Sequence, residues 1–507
     1  MKETSQKGLL GQLDLVTTLL PFFCIVALCI LFVLYPEGSS RVLESIRGFL
    51  GNEMGSYYLL IGLGVFICSL YLAFSRYGKI KLGDLEKPEY SSFKWGSMMF
   101  TAGLAADILF YSCCEWMLYA AEPHISEMGA MQDWAATYPL FHWGPIPWGF
   151  YLVLAVAFGF MLHVRKRDKQ KYSESCRALL GKRVDGWAGR LIDLIAVFAL
   201  LAGTATTFSL ATPLLAMAIS RVTGIASTTT LTILILVVVC CIYTCSVYFG
   251  MKGIMRSAAC CTYLFFTLLA YVFFFGGESR FIVEAGITAL GNLTQNFIGL
   301  STWTDSLRTS SFPQTWTIFY WAYWMVWCVA APFFIGAISK GRTIRQTILG
   351  GYFFGLAGTF TSFIILGNYG LGLQLHGRLD ILSAYNASGD LYTSIISILE
   401  QLPLSGFVLI LLVLCMVTFY STSFDSITLV ASSYSYKELG HDADPDKRVK
   451  LFWAIFLILL PIALIFSKNS MANLQTVSII AAFPIGIIII LIIASFFKDA
   501  NAYLNGK

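Results

Sequence analysis

The sequence predicts an all-α protein that crosses a membrane twelve times. Three observations carry that reading. Of the 507 residues, 57% are apolar and 12% charged, where a soluble globular chain is about 25% charged. The mean hydropathy is +0.72. Apolar runs recur near 13–35, 55–76, 95–120, 138–163, 191–219, 227–249, 254–276, 313–338, 344–367, 403–433, 450–467 and 472–497. Each is about 20 residues or more, enough to cross a hydrocarbon core of about 30 Å.

The first run is too long for a cleaved leader, lacks a small-residue cleavage site, and is followed by further runs, so it reads as a span. Positive charge then sets orientation. The loop after span two carries Arg76, Lys79, Lys81 and Lys87. The loop after span four carries Arg165, Lys166, Arg167, Lys169, Lys171, Arg177, Lys182, Arg183 and Arg190, and the loop after span eight Lys340, Arg342 and Arg345. The loop after span three has Glu122, Glu127 and Asp133 and no Lys or Arg. Basic loops after even-numbered spans place both termini in the cytoplasm of a multi-pass cell-membrane protein.

Between spans seven and eight, Phe281, Ile282, Ala285, Ile287, Leu290 and Phe297 recur roughly as on an amphipathic helix, either lying on the membrane surface or forming a structured loop. "HDADPDKRVK" alternates Asp442, Asp444 and Asp446, but lacks the Gly and closing Glu of a calcium loop and reads as a solvated turn. Most of the thirteen cysteines, such as Cys24, Cys240, Cys261 and Cys328, lie inside spans as small apolar packers, and no Cys or His spacing points to a metal.

Enzyme motifs are absent: no HExxH, GxSxG, phosphate-binding lysine loop or dinucleotide fingerprint occurs. The histidines His124, His142, His163, His376 and His441 are scattered. The chain is therefore read as a non-enzyme without cofactor, and without nucleic acid as partner.

Aromatic side chains are the densest signal. "TWTIFYWAYWMVW", Thr315–Trp327, holds four tryptophans and two tyrosines. At helical spacing Trp321, Trp324 and Trp327 share one stripe, with Tyr323 beside Trp327. "FHWGPIPWGFY" supplies Trp143, Trp148 and Tyr151, the last two being i, i+3 neighbours. An interfacial belt explains rings at span ends. It explains rings near mid-span less well. The other reading is a cage for a quaternary ammonium group, which has no N–H to donate and is held by ring faces worth about 0.5–2 kcal/mol each.

"FHWGPIPW", "WTIFYWAYWMVW" and "ISKGRTIRQ" together resemble the betaine/carnitine/choline transporter family, over roughly residues 15–500. The resemblance implies twelve spans around a LeuT-like core of two inverted five-helix repeats, often assembled as a homotrimer. It divides the chain into a cytoplasmic tail (1–12), two peripheral spans (13–92), a first repeat (93–276), an external amphipathic connection (277–312), a second repeat (313–497) and a second tail (498–507). Internal sequence similarity alone does not establish the repeat.

By motif position the resemblance implies a substrate cage of Trp143, Trp148, Tyr151 and Trp324, with Trp321, Trp327 and Tyr323 as supporting aromatics. "FYSTSFDS" matches the sodium pattern of coupled relatives and implies Phe419, Thr422 and Ser423 as one sodium site. The rival reading is that these hydroxyls bond back to their own helix. Thr204 belongs to a second sodium position, but Leu200 one turn earlier lacks an oxygen to donate.

Span three departs from betaine carriers. Their glycine-rich stretch is replaced by Gly103, Leu104, Ala105, Ala106 and Asp107. Choline carriers of the family are similar in having Asp here. A carboxylate repels the carboxylate of a zwitterion, so Asp107 is read as a substrate-binding residue that favours choline. The rival is a salt bridge, with Arg256 the best candidate partner. A carboxylate also leaves proton coupling open beside sodium. Exchangers of the family carry an arginine on span seven, where Met255 stands in register and Arg256 follows, which leaves exchange open.

The function this reading gives is secondary active transport of quaternary ammonium compounds by alternating access, choline first. The alternatives are a carnitine, γ-butyrobetaine or glycine betaine transporter or exchanger. From another class, a ligand-binding membrane sensor is the rival, disfavoured by tails too short for a signalling domain.

Overall fold

In lipid, every backbone N–H and C=O must find a partner within the protein, so apolar runs of span length fold as helices. The computed structural model of the protein describes residues 9–103, 106–248, 251–440, 443–466 and 471–506. Those residues are nearly all helical. Among them there is no strand, only two isolated bridges, Leu13 with Tyr436 and Lys81 with Thr343.

Nine helices of the described residues are long and apolar enough to cross a membrane: Leu15–Leu34, Gly55–Phe74, Met131–Val164, Trp187–Thr223, Met255–Phe275, Ile344–Leu375, Ser405–Tyr434, Lys447–Ile465 and Leu474–Leu504. A tenth is a pair, Pro313–Trp327 and Ala331–Ile338, bent by 50°. The other two expected spans border residues outside the description. The run 95–120 forms two helices, Ser92–Gly103 and Asp107–Ala120, on either side of residues outside the description. The run 227–249 forms Thr229–Tyr248, a helix of 20 residues that ends where the described residues end.

Local chemistry sets the helix ends. Thr343 and Gln346 form a reciprocal capping box at the start of Ile344–Ser362. Asp390 caps Leu391–Glu400, and Gly224, at φ +77°, closes the long helix Trp187–Thr223 in the left-handed conformation glycine favours.

The three basic loops meet at one end of the molecule. Gly341 N–H donates to Leu82 O at 2.6 Å and Ile344 N–H to Ile80 O at 2.9 Å. Lys166 pairs with Asp84 at 2.9 Å. Both chain ends reach the same region: Lys171 bridges to Asp14 at 3.1 Å, and Asp499 of the last helix takes Arg165 at 2.8 Å and Arg167 at 2.5 Å.

The connection after span seven is a helix, Ser279–Thr302. It buries Ile282, Gly286, Ala289, Leu293 and Leu300 and packs along Met131–His142. Of the expected stripe, Ile282 is buried and Phe281, Ala285 and Phe297 are half-buried, while Ile287 and Leu290 face outward. Gly286 permits close approach, since an added Cβ would lie 2.7 Å from Ile364.

Of the alternating aspartates, Asp442 lies outside the described residues. Asp444 pairs with Lys450 at 2.8 Å. Asp446 caps Lys447–Phe456, accepting from Arg448 N–H at 2.8 Å. The Arg448 side chain bonded to it holds its carboxyl below the usual range. A lowered carboxylate stabilises above its unfolded pKa and loses that contribution as pH falls through the folded value. Asp446→Ala is expected to raise amide exchange at Arg448–Lys450, by the equivalent of about 1 kcal/mol. Asp446→Asn is expected to keep the protection, and the wild-type protection to fade only on acidification below the ordinary carboxylate range.

Candidate functional site

Proline and glycine break the fourth span where the rings begin. Helix Met131–His142 ends at Trp143, and Pro145 opens Pro145–Gly159. Gly144 at the break has no room for a Cβ, which would lie 2.2 Å from Leu140 O. The interruption turns Trp143 inward, while Trp148 and Tyr151 follow on the first two turns of the next helix.

Trp324 of Ile318–Trp327 meets all three. Ring centroids lie 4.8 Å from Tyr151, 5.6 Å from Trp143 and 5.8 Å from Trp148. Trp148 and Tyr151 are edge to face at 5.8 Å. None of the four is more than 2% exposed. The structure thus brings together the four rings that the motifs singled out. The indole N–H groups of Trp148 and Trp324 have no hydrogen-bond partner among the described residues.

The supporting aromatics go elsewhere. Trp321 packs on Phe141 at 5.1 Å and against Gly62, where a Cβ would lie 2.9 Å from its ring. Trp327 lies 3.4 Å from the Cβ position of Gly203. Tyr323, off the sequence stripe, makes a polar contact that spacing did not reveal. Its hydroxyl donates to Asp107 Oδ2 and meets Thr207 Oγ1. Asp107 is 2% exposed. It makes no ion pair among the described residues, and Arg256 is exposed on its own helix. The salt-bridge reading of Asp107 with Arg256 is therefore not what the structure has.

Phe419, Thr422 and Ser423 share one turn of Ser405–Tyr434, all buried. Thr422 Oγ1 donates to Thr418 O and Phe419 O, each at 3.1 Å, so it bonds back to its helix. Thr204, on the neighbouring Trp187–Thr223, donates to Leu200 O at 2.6 Å. The main chain at Leu200 thus provides an oxygen where its side chain does not.

Two features escaped sequence reading. Glu115, fully buried, accepts from Trp143 Nε1 at 2.9 Å. Gly355 of Ile344–Ser362 seats Trp148: a Cβ there would lie 2.5 Å from its ring. Neither had a local signal, since each meets its ring only through the packing of separate helices.

Buried rings, a broken span and a carboxylate inside apolar helices describe a membrane protein built to hold a small molecule. The chain belongs to the betaine/carnitine/choline transporter family, matching its description over residues 16–504. It is 32% identical over 484 residues to a probable glycine betaine transporter of Desulfitobacterium hafniense (strain Y51), covering 93% of this chain and 95% of that protein. It is 30% identical over 477 residues to a glycine betaine transporter of Bacillus subtilis (strain 168), covering 92% and 91%. It is 28% identical over 482 residues to a carnitine transporter of Acinetobacter baumannii, covering 93% and 87%. The protein is thus a multi-pass membrane transporter of the betaine/carnitine type, and not an enzyme.

Gly355→Ala tests the ring seat. A methyl group meets the rigid indole of Trp148, and such overpacking costs about 1–3 kcal/mol. The expected result is a lower melting temperature in detergent together with weaker quenching of tryptophan fluorescence by choline or glycine betaine. Gly64→Ala, with no atom within 4 Å of its Cβ position, is expected to change neither.

Proposed function

We propose that this protein is a secondary active transporter that moves quaternary ammonium compounds by alternating access, with choline favoured. The observation that carries the reading is the buried box of Trp143, Trp148, Tyr151 and Trp324, with ring centroids 4.8–5.8 Å from Trp324. Its faces come from Trp143 at the break, from Pro145–Gly159 and from Ile318–Trp327, so a relative movement of those two helices opens or closes it. A trimethylammonium group fits such faces because it offers a diffuse positive charge and no donor. The reading includes twelve spans in two inverted five-helix repeats, with both termini cytoplasmic. The meeting of both chain ends with the basic loops supports that orientation.

Choline is placed first because Asp107 is a buried carboxylate without a cationic partner among the described residues. It attracts a cation and repels a zwitterion's carboxylate, and the bond from Tyr323 fixes its direction. A second reading, transport of glycine betaine or carnitine, is supported by the names of the relatives. The unpartnered N–H groups of Trp148 and Trp324 support it too, because a carboxylate accepts from them. Sodium coupling through Phe419, Thr422 and Ser423, with Thr204 as a further contributor, belongs to this proposal. So does proton coupling.

Uptake of labelled choline, carnitine, γ-butyrobetaine and glycine betaine into proteoliposomes, with and without sodium and proton gradients, tests these readings. Trp324→Ala is expected to weaken binding by roughly 2 kcal/mol, and Trp324→Phe by less, since the ring face carries the attraction. Unchanged affinity in Trp324→Ala removes the box.

Asp107→Gly is expected to cut choline uptake sharply and to leave glycine betaine or carnitine uptake equal or better. Normal choline uptake in that variant overturns the role of Asp107. The double change Thr422→Ala, Ser423→Ala is expected to raise the sodium needed for half-maximal uptake, and wild-type uptake that ignores sodium refutes the sodium site.

A further inference from the structure

Behind the box lies a polar chain inside apolar helices. Glu115, Tyr119 and His142 are each 0% exposed. Glu115 Oε2 accepts from Trp143 Nε1 at 2.9 Å. Tyr119 OH bonds to Glu115 Oε1 and lies 2.6 Å from His142 Nδ1. His142 Nε2 lies 3.0 Å from Thr317 Oγ1, and its ring stacks on Tyr320 at 4.7 Å. His142 Nδ1 is 3.6 Å from Glu115 Oε1. No Lys or Arg among the described residues makes an ion pair with Glu115.

The other titratable groups facing this chain are mostly neutral side chains. Tyr111 and Cys114 come from its own helix, Tyr138 from Met131–His142, and Tyr320 and Tyr323 from Ile318–Trp327. Tyr369, Tyr385 and Tyr392 lie on helices packed against Asp107–Ala120. Asp107 stands two turns away on the same helix. Arg47 reaches the Thr317 end, where it donates to Thr315 O at 3.3 Å. Nearby, Trp316 Nε1 donates to the half-buried Glu122 at 2.7 Å.

The chain of bonds closes in two opposite senses. In one, Thr317 O–H donates to His142 Nε2, His142 Nδ1–H to Tyr119 O, and Tyr119 O–H to the Glu115 carboxylate. In the other, a protonated Glu115 donates to Tyr119 O, Tyr119 O–H to His142 Nδ1, and His142 Nε2–H to Thr317 Oγ1. Histidine is neutral in both, and the second sense holds one proton more. Trp143 N–H donates to Oε2 throughout. It meets a charged acceptor in the first sense and a neutral one in the second, and charge-assisted bonds are roughly twice as strong.

We propose that Glu115, Tyr119 and His142 form a proton-binding site linked through the indole of Trp143 to ligand binding in the box, so that a bound cation expels one proton to solvent. The inference rests on the box being the substrate site. A cation against Trp143 favours the carboxylate behind it, and the carboxylate in turn holds the ring in place. The displaced proton passes along Tyr119 and His142 toward Thr317. Glu115 acts through Trp143 and is a positioning residue.

The experiment uses the purified full chain in detergent, with choline and then glycine betaine as probes. Tryptophan fluorescence reads affinity, and a pH dye in weak buffer reads protons. The wild type is expected to release up to one proton per ligand bound. Its affinity is expected to rise with pH, by at most about tenfold per unit for one linked proton. Glu115→Gln is expected to bind with pH-independent affinity and to release none. Trp143→Phe, which keeps a ring and removes the N–H, is expected to bind with release much reduced.

Wild-type binding without proton release anywhere between about pH 5 and 9 overturns the site, and needs no variant to fold. Undiminished release in Glu115→Gln also overturns it, because the proton then comes from elsewhere. In either case loss of binding in Trp324→Ala leaves the box standing. Wild-type binding in Trp324→Ala removes the box itself.

Discussion

A polar atom inside a membrane span has no water to turn to, and its partner has to come from the protein. That constraint organises the interior more than apolar contact does, since lipid and leucine attract a helix about equally. The hydroxyls of Thr204 and Thr422 bond back to their own helices. Asp107 takes the hydroxyl of Tyr323. Glu115 takes Trp143 and Tyr119. The bonds from Tyr323 to Asp107 and from Trp143 to Glu115 each tie two spans at a fixed height, so the polar residues help set which rings face which.

The ring box depends on that scaffold. Trp143 sits where the helix is interrupted, its indole N–H held by the carboxylate of Glu115 and its ring packed on Phe363 and Trp324. Trp148 lies on a glycine, Gly355, and Trp321 on another, Gly62. Large flat side chains and missing side chains are thus two halves of the same packing.

Helices were legible in the sequence because apolar runs of span length leave the backbone no other solution. The break at Gly144 and Pro145 emerges only in the structure, since the apolar run 138–163 reads as one span although proline lacks the N–H that a continuous helix needs. The four rings were legible through their motifs. Tyr323 was not, because its partner Asp107 lies 216 residues away and the helical stripe pointed elsewhere. His142 read as one of the scattered histidines and Glu115 carried no signal, since the bonds that join them to Tyr119 and Trp143 include contacts between helices. The apolar pattern of Ser279–Thr302 pointed to Phe281, Ile282 and Phe297 but not to Gly286, which counts as neutral in such a pattern yet lies close against Ile364.

The four box rings are sealed, at most 2% exposed each. On the proposed reading of the box, a ligand therefore has no direct route to it by diffusion alone. The arrival rate is governed by how often the surrounding helices part. At high ligand concentration the observed association rate levels off at that opening frequency. Long-range attraction between a cation and the surface then has little influence on how fast the box fills, so ionic strength alters the encounter and not the ceiling.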